Sequence, residues 1–452
     1  MHNKHRGIVA PYPQPYTQTP EKRSFQRFTA AHCVFLLTTL SLAVYSRVFR
    51  NGFQQRWDDW WVVKNDYTEA GFNRANILSI LTDFYHGQYA PVNELFYLAL
   101  YTVFGYNASW FHAASLLVHV GNVLLVFFLI RRVLVQSRAF DSVSVLRISL
   151  ITAVLMAVHP FLVESVAWMS ASKCILFSFF YLLSLHAYLS YIDNRRLRYF
   201  MLTGLFFVLS FGAKEQAVTL PVCLLLFDYT LKRDMRKAAV WVEKIPLFLF
   251  SAGFVVLTFY SQKYNGEGIL SQQALHPWYQ NLVYAAYSIA EYVIKCLLPL
   301  RLSYIYPFPN LPGQPLPAYL YLYPLIVLSV TVAFRSYWRE RWVLFGIGFF
   351  LIQASVICNL IPTSRFAILA DRYVYLAAVG VFFLMAYAVD WLWTRQSKYR
   401  NLLLYGGLVY ILGLAIYAYQ RTKVWHDSGT LKKELLEVLR SRPDYKEWQD
   451  KF

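Results

Sequence analysis

The 452-residue chain is 57% hydrophobic and 18% aromatic with only 15% charged residues, and its mean hydropathy is positive. That excludes a soluble globular protein of ordinary make-up and predicts a multi-span membrane protein. The formal charge of +18 does not point to nucleic acid, because the basic residues sit in short clusters between apolar runs rather than along one polar face.

In chain order, residues 1–27 mix Pro, Tyr, Gln and His with Lys4, Arg6, Lys22, Arg23 and Arg27. No apolar period runs through them, which predicts a disordered basic tail on the cytoplasmic side. Phe28–Val48 is a first span with no cleavage pattern after it, an uncleaved anchor. Directly beyond lies an acidic, Trp-rich stretch, Arg56 to Thr68. Two adjacent carboxylates, Asp58 and Asp59, beside Trp57, Trp60 and Trp61 resist ionising together, so one keeps a raised proton affinity suited to a general base. The plain alternative is a solvated loop within an interfacial aromatic belt.

Residues 72–104 hold helix-like pieces at 74–86 and 91–104, each short of the ~20 residues that a span needs. They are expected to lie along the membrane face, which makes 49–107 the first outer loop. Apolar runs follow at 108–131, 146–161, 174–192, 198–212, 216–231, 245–261, 278–298, 318–334, 342–360, 373–393 and 401–420. Residues 421–452 read as one amphipathic helix, Thr430–Leu439, with Leu431, Leu435, Leu436 and Leu439 on one side and a stop near Pro443.

The basic residues set the topology. Arginines 131, 132, 138 and 147, the 193–198 turn and the 232–244 turn fall on the side of the tail. The turns Arg335–Arg341 and Arg395–Arg400 join them only if one run between 262 and 334 does not cross. The weakest is 278–298, which carries Glu291, Lys295 and four tyrosines, so it is expected to be re-entrant or cavity-lining. Eleven spans result, with the amino end inside and the carboxyl end outside.

The outward loops then collect the unusual polar residues: Asp58 and Asp59; His159 and Glu164; Lys173; Lys214 and Glu215; Arg365, Asp371 and Arg372. Any one of these alone reads as a snorkelling group, a cap or a structural ion pair; together they describe an outer cavity for a substrate that is part lipid, part anion and part sugar. Arg suits a phosphate by its forked geometry. The cysteines at 33, 174, 223, 296 and 358 lie in or beside apolar runs with no CxxC spacing, so neither a disulfide framework nor a zinc site is expected. His112, His119 and Asn122 share one helical face with no third ligand, and buried hydrogen bonding is expected rather than a metal. Pro160 and Pro221 are expected to kink helices, and Asp228 to cap a span at the cytoplasmic interface.

Several stretches together resemble the membrane half of TMTC-type O-mannosyltransferases and their bacterial relatives. They are the Trp57-Asp58-Asp59 segment, His159 to Trp168 with Ser172-Lys173, Gly212 to Pro221, Tyr304 to Pro309, Ala370 to Leu376, and Val424 to Ser428. The ordered set covers roughly residues 30–430. The resemblance implies a GT-C fold, all-α and multi-pass, and a glycosyltransferase that takes mannose or a similar hexose from a polyprenyl phosphate on the non-cytoplasmic face. It implies that Asp58 or Asp59, with Asp58 favoured, deprotonates an acceptor hydroxyl as that oxygen attacks the anomeric carbon, with inversion. Arg372, Lys214 and Lys173, with Arg365 behind them, would receive the departing phosphate. His159 and Glu164 would orient sugar or acceptor, and Glu215 and Asp371 belong to the same substrate-binding set.

No metal or cofactor is implied, and the partners are the lipid-linked donor, membrane lipids and a protein, lipid or glycan acceptor. TMTC-type proteins continue into tandem tetratricopeptide repeats of about 34 residues each; residues 421–452 hold no such arm. With the short length, that favours a bacterial plasma membrane, with the endoplasmic reticulum membrane as the alternative. The competing reading is a transporter or flippase of a lipid-linked sugar, which usually carries repeated halves; no internal repeat stands out.

Overall fold

The computed structural model describes residues 20–55, 57–263, 276–310, 313–360, 367–440 and 445–446, with the backbone alone for 20–29. The helices longer than two turns are α1 (Pro20–Tyr45), α2 (Arg74–Thr82), α3 (Pro91–Phe104), α4 (Ala108–Ser137), α5 (Ser142–Val158), α6 (Ser172–Asn194), α7 (Leu197–Ala213) and α8 (Leu220–Thr230). They continue with α9 (Ile245–Lys263), α10 (Trp278–Leu297), α11 (Leu322–Ala333), α12 (Arg341–Ala354), α13 (Ala378–Arg395), α14 (Arg400–Arg421) and α15 (Ser428–Leu439). A two-stranded antiparallel ribbon, β1 (Tyr306–Pro307) with β2 (Ala367–Leu369), is the one sheet among the described residues.

Local chemistry places the helix ends. Asn73, Asn107, Asp141 and Asp427 each accept a backbone N–H of the first turn of α2, α4, α5 and α15, satisfying donors that have no partner inside a helix. Pro91 opens α3 and Pro221 lies in the first turn of α8, where a missing N–H is harmless. Pro221 therefore starts a helix instead of kinking one. Pro160 does mark a bend, of 57° between α5 and the turn-rich stretch Pro160–Ala167.

Among the described residues, five segments are long and apolar enough to cross a membrane: Ala30–Arg50, Ala108–Ser137, Met169–Asn194, Ala238–Lys263 and Ser397–Trp425; the bent pair Ser142–Val158 and Pro160–Ala167 makes a sixth if it is one span. The protein is an all-α membrane protein. Leu197–Ala213, Ala318–Ala333 and Arg341–Ala354 are apolar but shorter, below the ~20 residues of an upright span. Length and composition alone thus stop short of eleven crossings. The first helix begins at Pro20, inside the stretch expected to be a structureless tail.

The basic turns gather at one end of the bundle through ion pairs. Arg132 meets Asp193 at 2.8 Å, Arg147 meets Asp390 at 3.1 Å, and Arg195 lies 3.6 Å from Glu243. Asp228 corrects its expected role as an interfacial cap. It is fully buried, receives Tyr188, and pairs with Arg233 at 2.9 Å and Lys244 at 2.5 Å, so it is the centre of a buried network that Glu243 completes. Each charge there is matched, as burial requires.

Helix α10 is one continuous helix, hydrogen-bonded to neighbouring segments near both of its ends. Near its start Gln280 and Tyr284 bond Gln314 and Asn310, and near its finish the Cys296 carbonyl meets His159 at 3.1 Å. Between these points Ser288 accepts from Asn359. α15 does not stand apart as a tail: Leu431, Leu435 and Leu439 are buried in the main core, and Arg421 at the end of α14 pairs with its Glu434.

Candidate functional site

The site begins with how the first loop is pinned. Residues 51–54 run extended beside the 422–426 turn, where the Asn51 side chain donates to the Thr422 carbonyl at 3.0 Å, Gly52 N–H to His426 at 2.8 Å and Gln54 Nε2 to Trp425 at 2.8 Å. Asp59, only 1% exposed, accepts from the N–H of Gln54 at 2.7 Å, from the N–H of Ser170 at 3.0 Å and from the Ser170 hydroxyl. Its carboxylate staples the loop to the 168–172 turn. Burial pushes its proton affinity up to about 6 in spite of those bonds, and the charge of Asp58 adds a smaller push.

The two acids therefore have different surroundings. Asp58 is half-buried, does not cap the short helix Asp59–Val62, and among the described residues its carboxylate has no hydrogen-bond or ion-pair partner. It stands close enough to Lys173 and Tyr304 to act electrostatically on both.

Three cations lie on three other elements, and of these Lys173 is within electrostatic reach of Asp58. Lys173 opens α6 and donates to Gln88 Oε1 at 2.8 Å. Lys214 follows α7; it is 4% exposed, its nearest carboxylate is Glu215 at 3.9 Å, and its ammonium lies 5.1 Å from the Tyr373 ring centre. Arg372 pairs with Glu164 and lies 4.8 Å from the Tyr373 ring and 5.0 Å from the Trp168 ring. Lys214 and Arg372 thus share one aromatic ring, and Lys214 is within electrostatic reach of Lys173 and Arg372. A nearly buried ammonium whose closest anion is almost 4 Å away is poised for a further anion.

Aromatic rings wall this group. Tyr304 packs edge-on against Trp57 at 4.8 Å, Trp168 at 5.3 Å and Trp425 at 5.4 Å, while Trp168 and Trp425 stack at 5.3 Å. Trp168, Trp425, Tyr304 and Tyr373 belong to the motifs read from the sequence, but that reading gave none of them a role. Ring stacking between residues 257 positions apart leaves no trace in spacing.

Other expected site residues sit differently. His159 is fully buried, bonded to Cys296 and to the Phe161 N–H and packed 4.9 Å from Phe382. It fixes the α5 bend and touches none of the three cations. Glu164, 2% exposed, is occupied by Arg372 and holds that guanidinium in place. Asp371, 1% exposed, accepts from Tyr306 at 2.7 Å. Burial, then the nearby Glu164 charge, raises its carboxyl well above the usual carboxylate range. Arg365 lies outside the described residues. His119 and Asn122 bond the Tyr375 hydroxyl at 2.7 and 3.2 Å, and among the described residues no cluster of His, Cys, Asp and Glu has the arrangement of a metal site.

A narrow cleft opens beside the cluster, between the 61–67 segment and the α2–α3 junction, and Lys173 is the cluster residue that lines it. Its inner wall includes Asn93 and Glu94, neither singled out by sequence. Glu94 accepts from the Asn65 side chain at 3.1 Å, and burial lifts its carboxyl to about 7. Comparison with protein-family models, curated proteins and solved structures finds no match to this chain.

Proposed function

We propose that the chain is a membrane glycosyltransferase of the GT-C type, transferring a hexose from a polyprenyl phosphate to an acceptor hydroxyl. One observation carries this reading: the carboxylate of Asp58, without a hydrogen-bond or ion-pair partner among the described residues, is within electrostatic reach of Lys173, while Lys214 and Arg372 continue the cationic group around the Tyr373 ring. A base on one side and a row of cations on the other is the charge arrangement that a displacement at an anomeric carbon with a phosphate leaving group requires.

In this reading Asp58 takes the proton of the acceptor hydroxyl. The acceptor oxygen forms the new bond to the anomeric carbon from the face opposite the phosphate. The sugar–phosphate C–O bond breaks, and the polyprenyl phosphate departs as an anion toward Lys214 and Arg372. Configuration inverts. Asp59 holds the loop that aims Asp58, and Glu164 aims Arg372. Eleven crossings with the basic turns inside, and a site facing outward from a bacterial plasma membrane, complete the proposal.

The test incubates purified full-length protein with labelled polyprenyl-phosphate hexoses and candidate acceptors. Asp58→Asn is expected to lower transfer by about 10²–10⁴-fold, the usual worth of a positioned base. Transfer by Asp58→Asn at the parental rate defeats the reading; label carried across a vesicle membrane without a new covalent bond replaces it with a transporter.

A further inference from the structure

Trp425, in the turn after α14, is fully buried. Its main-chain carbonyl receives Gln54 Nε2 at 2.8 Å, and Gln54 in turn gives its N–H to Asp59. Its indole stacks on Trp168 at 5.3 Å and meets Tyr304 edge to face at 5.4 Å. Tyr304 also meets Trp57, the residue before Asp58, at 4.8 Å, and Trp168 at 5.3 Å. Trp168 heads the turn that leads into Lys173, and its ring lies 5.0 Å from the Arg372 guanidinium. Rings from four distant segments thus form one block. The segment bearing Asp58 rests on it through Trp57, and those bearing Lys173 and Arg372 rest on it through Trp168.

Asp58 lies in sequence between two attachments of its loop. On one side Asp59 joins Gln54 to Ser170. On the other Trp57 rests on Tyr304, which packs in turn on Trp425 and Trp168. Close-packed rings have little room to shift, so a change at one is passed to the next. Trp425 is itself held from α15. Arg421, one turn earlier, donates to the Leu302 carbonyl at 3.0 Å and pairs with Glu434 at 2.5 Å, and Leu302 lies two residues before Tyr304. Leu431, Leu435 and Leu439 close α15 onto the core. A misplacement of about 1 Å in a reacting group can cost about 10²-fold in rate, so the placement of this block bears on chemistry that none of its rings performs.

We propose that Trp425 is a positioning residue: its ring sets the spacing between the loop that carries Asp58 and the segments that carry Lys173 and Arg372, and α15 keeps that ring in place through Arg421. Trp425 acts through Tyr304 and Trp168 rather than by touching substrate. The purpose of the alignment rests on the sugar-transfer reading, but the alignment itself is measurable with neither donor nor acceptor present.

The experiment alkylates the full chain carrying Asp58→Cys, in nanodiscs, with iodoacetamide across a range of pH. The five native cysteines are buried, and the parent chain gives the background. The thiolate is the reacting form, so the profile yields the titration of the introduced thiol. Asp59, Lys173 and Tyr304 lie within electrostatic reach of position 58, and Lys173 is the cation among them. Adding Lys173→Met is expected to raise the titration by about one pH unit, the loss of a nearby positive charge. With Trp425→Leu also present, which leaves the carbonyl for Gln54, Lys173→Met is expected to raise it by less than about half as much. Trp425→Phe is expected to keep most of the Lys173 effect. Trp342→Leu, which removes another buried indole, on α12, is expected to keep all of it. In the transfer assay Trp425→Leu alone is expected to lower kcat about 10²-fold.

A Lys173 effect of the same size with and without Trp425→Leu overturns the proposal. So does its loss in Trp342→Leu, which marks general loosening. If a thermal melt shows that Trp425→Leu has lost its fold, Glu434→Gln, which loosens the Arg421 anchor from outside the block, is scored in its place: a reduced Lys173 effect supports the proposal and an unchanged one overturns it. No response to Lys173→Met beside Asp58→Cys alone puts position 58 out of reach of that cation, and overturns both this inference and the sugar-transfer reading. Parental transfer by Asp58→Asn together with the expected thiol titrations sinks Asp58 as the base and leaves Trp425 as the residue that aligns the two segments.

Discussion

The Glu164–Arg372 pair offers the sharpest test of how the cationic group is held. The two residues lie 208 positions apart, and their side chains are 1% and 18% exposed. Removing one partner of a buried ion pair strands the other and typically costs ~3–5 kcal/mol. Here Arg372 retains the faces of Trp168 and Tyr373 and some access to water, and a glutamine at 164 retains a carbonyl acceptor. The expected cost of Glu164→Gln is therefore somewhat below that range, about 2–3 kcal/mol. In Glu164→Gln/Arg372→Met no charge is stranded, and the double variant is expected within about 1 kcal/mol of the parent. Reversible unfolding of the detergent-solubilised chain, scored as a double-mutant cycle, should then give a coupling of at least about 2 kcal/mol. If the two single costs add to within about 0.5 kcal/mol, the pair is not what holds the guanidinium over the two rings.

Asp59 predicts a pH dependence. Its carboxyl is raised to about 6 when folded, whereas the unfolded chain titrates near ~3.9, so the folded state binds the extra proton between these values. Stability is present below pH 4 and is lost as pH rises to 6, by roughly 2–3 kcal/mol at about 1.4 kcal/mol per unit; Asp59→Asn should flatten that part of a stability–pH curve. Lys214→Met removes a cation expected to stabilise the leaving phosphate, and should lower transfer by about 10²-fold while the melting temperature stays within a few degrees; unchanged transfer would exclude Lys214 from the site. A cysteine at Trp338 should react with an impermeant thiol reagent only from the cytoplasmic side, and one at the exposed Glu69 only from the other. Labelling of both from one side would contradict the orientation.

Much of the helical framework is visible in the apolar runs. The stretch 91–104 coincides with α3, and 74–86 overlaps α2, which stops at Thr82 where the backbone turns extended at Asp83. The start of α1 at Pro20 was hidden because its first turns are polar and basic, a composition that also describes a tail. The acids and cations of the site were legible as unusual residues between apolar runs. Their division of labour was not: adjacent Asp58 and Asp59 look equivalent until Ser170 claims one of them. Likewise Glu164 and Arg372 each read as a substrate contact, and only tertiary proximity shows that they hold one another. Glu94 passed unnoticed because a single acid in an amphipathic helix reads as part of its wet face.

The hydrogen bonds from Asn51, Gly52 and Gln54 to the 422–426 turn set an order of assembly. The loop that bears Asp58 is synthesised early, yet its backbone partners emerge from the ribosome almost four hundred residues later, after α14. The fixing of this loop is thus deferred until nearly the whole bundle has been inserted, so a nascent or interrupted chain carries Asp58 on a segment that lacks the contacts holding it.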